Sequence, residues 1–174
     1  MLRKCALVFL APILLASCIS AQSIPAGAVE TLSGKKLTLP DAFLGHPTVL
    51  ILGFSRKSKD PTGAWFQRLR REFAGQKDVG VYQVAHLQGA PRFIRGMIVS
   101  GMRKGVPQEQ QDFLLTVFDN QDVWKQLTNF AAPDDAYVLF CDESGRTVWR
   151  THGPVTDQSV EELKRHINDL RAHS

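Results

Sequence analysis

The run Thr48-Val49-Leu50-Ile51-Leu52-Gly53-Phe54 constrains this chain more than any other segment. It is apolar and β-branched, and no polar residue alternates along it. Alternation marks a strand with one wet face, so a strand without it is buried on both faces and needs helices above and below. A second strand, Val79 to Ala85, follows a segment in which Trp65, Phe66, Leu69 and Phe73 recur at helical spacing. Asp60 as N-cap with Pro61 at the first helical position predicts a helix over 61–74. Strand, helix and strand of these lengths form a βαβ unit with parallel strands.

The remaining segments extend the same plan. Leu32 to Leu39 alternates around Ser33-Gly34 and predicts a short hairpin. Pro91 opens a helix carrying Phe93, Ile94, Met97, Ile98 and Met102, a stripe used more often for core packing than to line a ligand groove. Phe113 to Phe118 is another β-type run, with a short helix at Val123 to Leu127. Tyr137 to Cys141 and Thr147 to Thr151 flank the turn Asp142-Glu143-Ser144-Gly145 as an antiparallel hairpin. A last helix over 157–171 places Val160, Leu163, Ile167 and Leu170 on one stripe, with Ser159 and Glu162 spaced as a capping box. With 174 residues, 44% of them hydrophobic, the chain can bury roughly two thirds of its unfolded surface and needs no metal or disulfide staple. Disordered, collagenous and disulfide-framework classes are excluded.

The first 20 residues read as an address. Arg3 and Lys4 precede the apolar run Ala6 to Ala16, which is too short to span a membrane as a helix. Leu15-Ala16-Ser17-Cys18 resembles the bacterial lipoprotein box, in which the cysteine bears the lipid; the alternative is cleavage after Ala21. Residues 1–20 are therefore expected to be a signal peptide of lipoprotein type, 21–29 a linker and 30–174 the folded domain. The chain is expected to be exported, periplasmic or otherwise extracytoplasmic, and held to a membrane if Cys18 is lipidated. The formal charge of +4 falls to +2 once Arg3 and Lys4 are set aside. The remaining basic clusters lack interleaved aromatic residues, so no nucleic-acid partner is expected. Cys5 and Cys18 belong to export, which leaves Cys141 without a disulfide partner.

The order of elements resembles the redoxin branch of the thioredoxin fold over roughly residues 30 to 171. The carrying segments are the Gly34-Lys35 hairpin, the strand Pro47 to Phe54, and the strand, turn and strand from Tyr137 to Gly153. This implies an α/β, three-layer thioredoxin-like fold with a central mixed sheet and an N-terminal hairpin. The family places a Cys-x-x-Cys, or one peroxide-reactive cysteine, after the central strand, where the next helix's N-terminus stabilises the thiolate. Here that interval reads Ser55-Arg56-Lys57-Ser58-Lys59-Asp60-Pro61-Thr62. The family's dithiol or peroxidase chemistry has no thiol there to use. The family's cis proline also lacks a counterpart, since Asp134-Asp135-Ala136 occupies its place and Pro133 is two residues early. The chain is also similar to the mitochondrial ATP-synthase assembly factor group, a redoxin-like protein that serves as an assembly aid.

Ser55, Arg56, Lys57, Ser58, Lys59 and Thr62 form a degenerate active-site loop that could hold an anion or a partner. Neither serine has the Gly-x-Ser-x-Gly setting, and no Asp or His partner is assignable from the sequence. Cys141 ends an apolar strand, where a thiol is usually structural. The five histidines lack metal-site spacing, although folding could join His86 and His152 at strand ends. No metal or cofactor is expected. The chain therefore reads as a binding, assembly or chaperone module with an unidentified protein partner. The alternatives are an oxidoreductase or other redoxin-derived enzyme using Cys141 or the 55–62 loop, and a metal or anion carrier.

Overall fold

A computed structural model describes residues 22–76 and 78–173. The signal segment, Cys18 and the cleavage after Ala21 lie outside the described residues. In chain order the elements are β1 (Gly27–Thr31), β2 (Lys36–Leu39), β3 (Thr48–Gly53), α1 (Lys59–Glu72), β4 (Gly80–His86), α2 (Arg92–Lys104), β5 (Leu114–Val117), α3 (Gln121–Thr128), β6 (Ala136–Cys141), β7 (Thr147–His152) and α4 (Asp157–His173).

All six residues of β3 are buried, as its unbroken apolar run requires. It lies inside a seven-stranded sheet of order β2-β1-β5-β4-β3-β6-β7. β3, β4 and β5 run parallel, while β6, β7 and the β1–β2 hairpin are antiparallel to their neighbours. The period of two along a strand divides the core. Val49 and Ile51 of β3 face Trp65, Phe66 and Leu69 of α1 and Val160, Leu163 and Ile167 of α4. Leu50 and Leu52 face the other way, toward Phe43 and toward Trp124 and Leu127 of α3. The result is an α/β sandwich of three layers with a mixed central sheet and an N-terminal hairpin.

Four expectations are corrected. The linker assigned to 21–29 is, from Gln22 onward, part of the domain: Thr147 N–H donates to Gln22 O, Ile24 N–H donates to Gly145 O, and Ile24 is buried. Ser23 bridges Arg146, and β1 already begins at Gly27. Pairing to the β6–β7 turn satisfies backbone groups that Pro25 and Gly27 made look like a loop. Second, α1 starts earlier than expected, with Ser58 at the N-cap and Lys59 as its first residue. Pro61 is thereby third in the helix, where an N–H lacks an intrahelical partner in any case.

Third, α4 begins with Thr156 and Ser159 rather than Ser159 and Glu162. Ser159 N–H donates to Thr156 Oγ1, and Thr156 N–H donates to Ser159 Oγ. This is the reciprocal bonding of a capping box with serine in the glutamate's place. The largest departure from expectation, the fourth, is at α2. None of α2's residues is buried, and Phe93 and Met97, expected in the core, are 87% and 70% exposed. Arginines hold the helix instead: Arg95 lies 4.5 Å over the Phe118 ring, and Arg103 Nε donates to Leu32 O at 2.7 Å.

Candidate functional site

The end of β3 opens into the loop where the sequence places a degenerate active site. Gly53 is required there because a Cβ at that position would lie 2.5 Å from Ser58 Oγ and 3.2 Å from Thr62 Cγ2. The close approach lets the chain close a turn on hydroxyl groups. Ser58 Oγ donates to Ser55 O at 2.7 Å and accepts from Ser55 N–H at 3.3 Å. Ser55 Oγ accepts from the N–H groups of Lys57 and Ser58, at 3.0 and 3.2 Å, and donates to Asp134 Oδ1 at 2.8 Å. Thr62 Oγ1 donates back to Ser58 O at 2.8 Å.

The predicted loop residues are thus gathered in one place, in two groups. Ser58 and Thr62 are buried and Ser55 half-buried, whereas Arg56, Lys57 and Lys59 are exposed. Lys57 Nζ lies 3.6 Å from Asp134. Asp134, seventy-nine positions from Ser55 in the chain, is the carboxylate partner that sequence reasoning left unassigned. Local spacing carries no signal for so distant a pair.

The Gly53–Ser58 contact gives a measurable coupling. Gly53→Ala is expected to cost about 2 kcal/mol by overpacking. In Gly53→Ala/Ser58→Ala the colliding oxygen is gone, so the double variant should be more stable than additivity predicts by about 1 kcal/mol. Urea denaturation of the four proteins measures this, and strictly additive losses would refute the contact.

Behind the loop lies an aromatic cluster. Phe54 stacks on His86 with centroids 4.7 Å apart and meets Tyr137 edge-on at 5.4 Å. Tyr137 in turn stacks on His152 at 5.5 Å. The two histidines therefore share one end of the sheet without meeting, because β3 and β6 separate their strands and the rings of Phe54 and Tyr137 fill the gap. His152 Nδ1 is 2.8 Å from Asp135. His86 is 6% exposed, its ring meets that of Trp124 at an angle with centroids 5.3 Å apart, and neither ring nitrogen has a hydrogen-bond partner among the described residues. Burial, with a smaller contribution from Lys125, pushes its pKa down to about 3. No group of three or more metal-ligating side chains occurs among the described residues.

Tyr137 also fixes the neighbouring loop. Its hydroxyl accepts from the N–H groups of Ala131 and Ala132 and donates to Ala132 O. That loop carries Asp134, so Tyr137 supports the serine turn indirectly. Trp65 secures the adjoining corner by donating its Nε1–H to Gly153 O at 2.9 Å.

Cys141 is elsewhere. It pairs with Thr48 at the far end of β3, whereas Ala136 pairs with Gly53 at the loop end. Five residue steps of extended strand separate the two ends, or about 17 Å. Cys141 is fully buried, and burial pushes its thiol up to about 12, with Thr147 Oγ1 3.8 Å from its sulfur. Two surface depressions, of about 260 and 420 Å³, also lie away from the loop.

No protein-family model matches the sequence, and no curated protein matches it. Solved structures do match. The exposed lipoprotein thioredoxin of Streptococcus pneumoniae superposes with a TM-score of 0.56 at 16% identity, over 82% of this chain and 99% of that one. The fold is that of thioredoxin. A member of the Sco family of cytochrome c oxidase assembly proteins gives 0.57 at 10% identity, over 83% and 93%. A thioredoxin family thiol:disulfide interchange protein from Chlorobium tepidum gives 0.50 at 9%, over 84% and 95%. Within this thioredoxin-like fold, the serine turn stands between the central strand and the first helix.

Proposed function

We propose that this chain is an exported, membrane-tethered thioredoxin-fold protein that acts as a binding and assembly module, with the 55–62 loop as its contact surface. The observation that carries this reading is the closed serine turn. Ser58 Oγ donates its proton to Ser55 O, and Ser55 Oγ donates to Asp134 while accepting two backbone N–H groups. Hydroxyls committed in this way brace a loop; they are not poised to attack. The turn presents the exposed side chains of Arg56, Lys57 and Lys59 on a fixed backbone, which lowers the ordering cost of an encounter.

The alternatives draw less support. Redox use of Cys141 requires a thiolate, which burial disfavours, and access, which the core denies. Anion binding at the start of α1 is opposed by Asp60 in its first turn and by Pro61, which supplies no N–H.

Affinity capture from membranes tests the proposal. The intact chain is expected to recover proteins that a chain with residues 55–62 replaced does not. Recovery of the same proteins by both would remove the loop as the working surface.

A further inference from the structure

α2 is a helix turned partly outward. Ile94, Ile98 and Met102 are half-buried against the domain, while Phe93 and Met97, one turn apart, face solvent at 87% and 70% exposure. Arg95 and Arg103 clip the helix to Phe118 and Leu32, the residues that follow β5 and β1, and exposed Arg92 and Lys104 stand at its two ends. Residues 79–108 contain no Asp or Glu, so no acidic neighbour in that stretch answers these cations. Gly96 and Gly101 lie inside the helix, and a Cβ at either would meet nothing within 4 Å. Packing in this chain therefore does not require them, and they weaken the helix on its own.

We propose that the outward face of α2 is a peripheral membrane contact that lies on an anionic phospholipid surface, with Phe93 and Met97 entering the headgroup boundary and Arg92 and Lys104 facing lipid phosphates. Apolar side chains flanked by cations match such a surface. The contact is made from outside the bilayer, since no helix among the described residues is long and apolar enough to cross a membrane. A twofold pairing of α2 with a second copy is disfavoured, because it would set cations against cations with no acidic residue on the helix to answer them. This surface is separate from the 55–62 loop, and its failure would leave that proposal standing.

The test uses amide hydrogen exchange on the full chain with vesicles containing phosphatidylglycerol and with vesicles of phosphatidylcholine alone. The N-terminal segment is the same in both, so retention on vesicles is not the readout. Exchange over residues 92–104 is expected to slow about tenfold or more with the anionic vesicles only, and the slowing should shrink as salt is raised. Phe93→Ser/Met97→Ser should abolish it without changing the melting temperature, since both side chains are exposed. Arg92→Gln/Lys104→Gln should remove the preference for anionic lipid. Equal exchange in the two vesicle types overturns the proposal. So does slowing that follows protein concentration without lipid, which would assign the face to a second copy.

Discussion

Replacing His86 by phenylalanine is expected to flatten the acid side of the stability curve. The folded-state pKa of His86 is about 3, against an ordinary value of 6.5. Between these values the unfolded chain binds a proton that the folded chain does not, so stability falls as pH falls. At about 1.36 kcal/mol per pH unit, the loss is about 2 kcal/mol by pH 5 and about 4 kcal/mol by pH 3, where the folded chain begins to take up the proton as well. The carboxylates act lower down. Burial tends to raise the pKa of Asp142, but bonds from Ser144 and Arg146 more than offset it and leave the group below the ordinary carboxylate range. Its contribution is present above about pH 4 and is lost as pH falls further. Denaturant midpoints at pH 7, 6 and 5 should therefore decline for the native chain and stay nearly level for His86→Phe. At pH 7 the variant should be no less stable, because it removes two buried ring nitrogens that have no partner among the described residues. Parallel curves for the two proteins would show that His86 takes up a proton in place.

Tyr137→Phe should be the most damaging single-atom change near the loop. The ring contacts to Phe54 and Phe130 survive, while two backbone N–H groups and one carbonyl lose the hydroxyl. The expected cost is about 2 to 3 kcal/mol, or roughly 4 to 10 °C in Tm for a domain of this size. Amide exchange should accelerate at residues 130–135 and also at 55–58, because Asp134 joins the two loops. Acceleration confined to 130–135 would sever that link.

The sequence made the sandwich legible because Val49 to Leu52 of β3 offer nothing polar to turn outward, and helices had to cover both faces. The βαβ unit and the β6–β7 hairpin were legible for the same local reasons. α2 was not. Its spacing shows that Phe93 and Met97 share a face, but spacing cannot say what lies opposite that face. The strap at Gln22 to Ile24 and the Ser55–Asp134 bond were hidden because each pairs residues far apart in the chain. At α1, Asp60-Pro61 looked like the start of the helix, and the earlier closure at Ser58 depends on Gly53 admitting a side chain at close range. That residues 55–62 hold no cysteine could be read directly; the hydroxyl bracing of that loop could not.

The strap has a consequence for reach. With Gln22 already fastened to Thr147, a lipid on Cys18 would leave only residues 19–21 between anchor and body, a span of no more than about 14 Å when fully extended. With that lipid in place, a body held so short would not sample the compartment; it would meet proteins of the same membrane at high effective concentration and in a narrow range of orientations. Lengthening the stretch before Gln22 with Gly-Ser repeats would widen that range while leaving every contact of the domain intact.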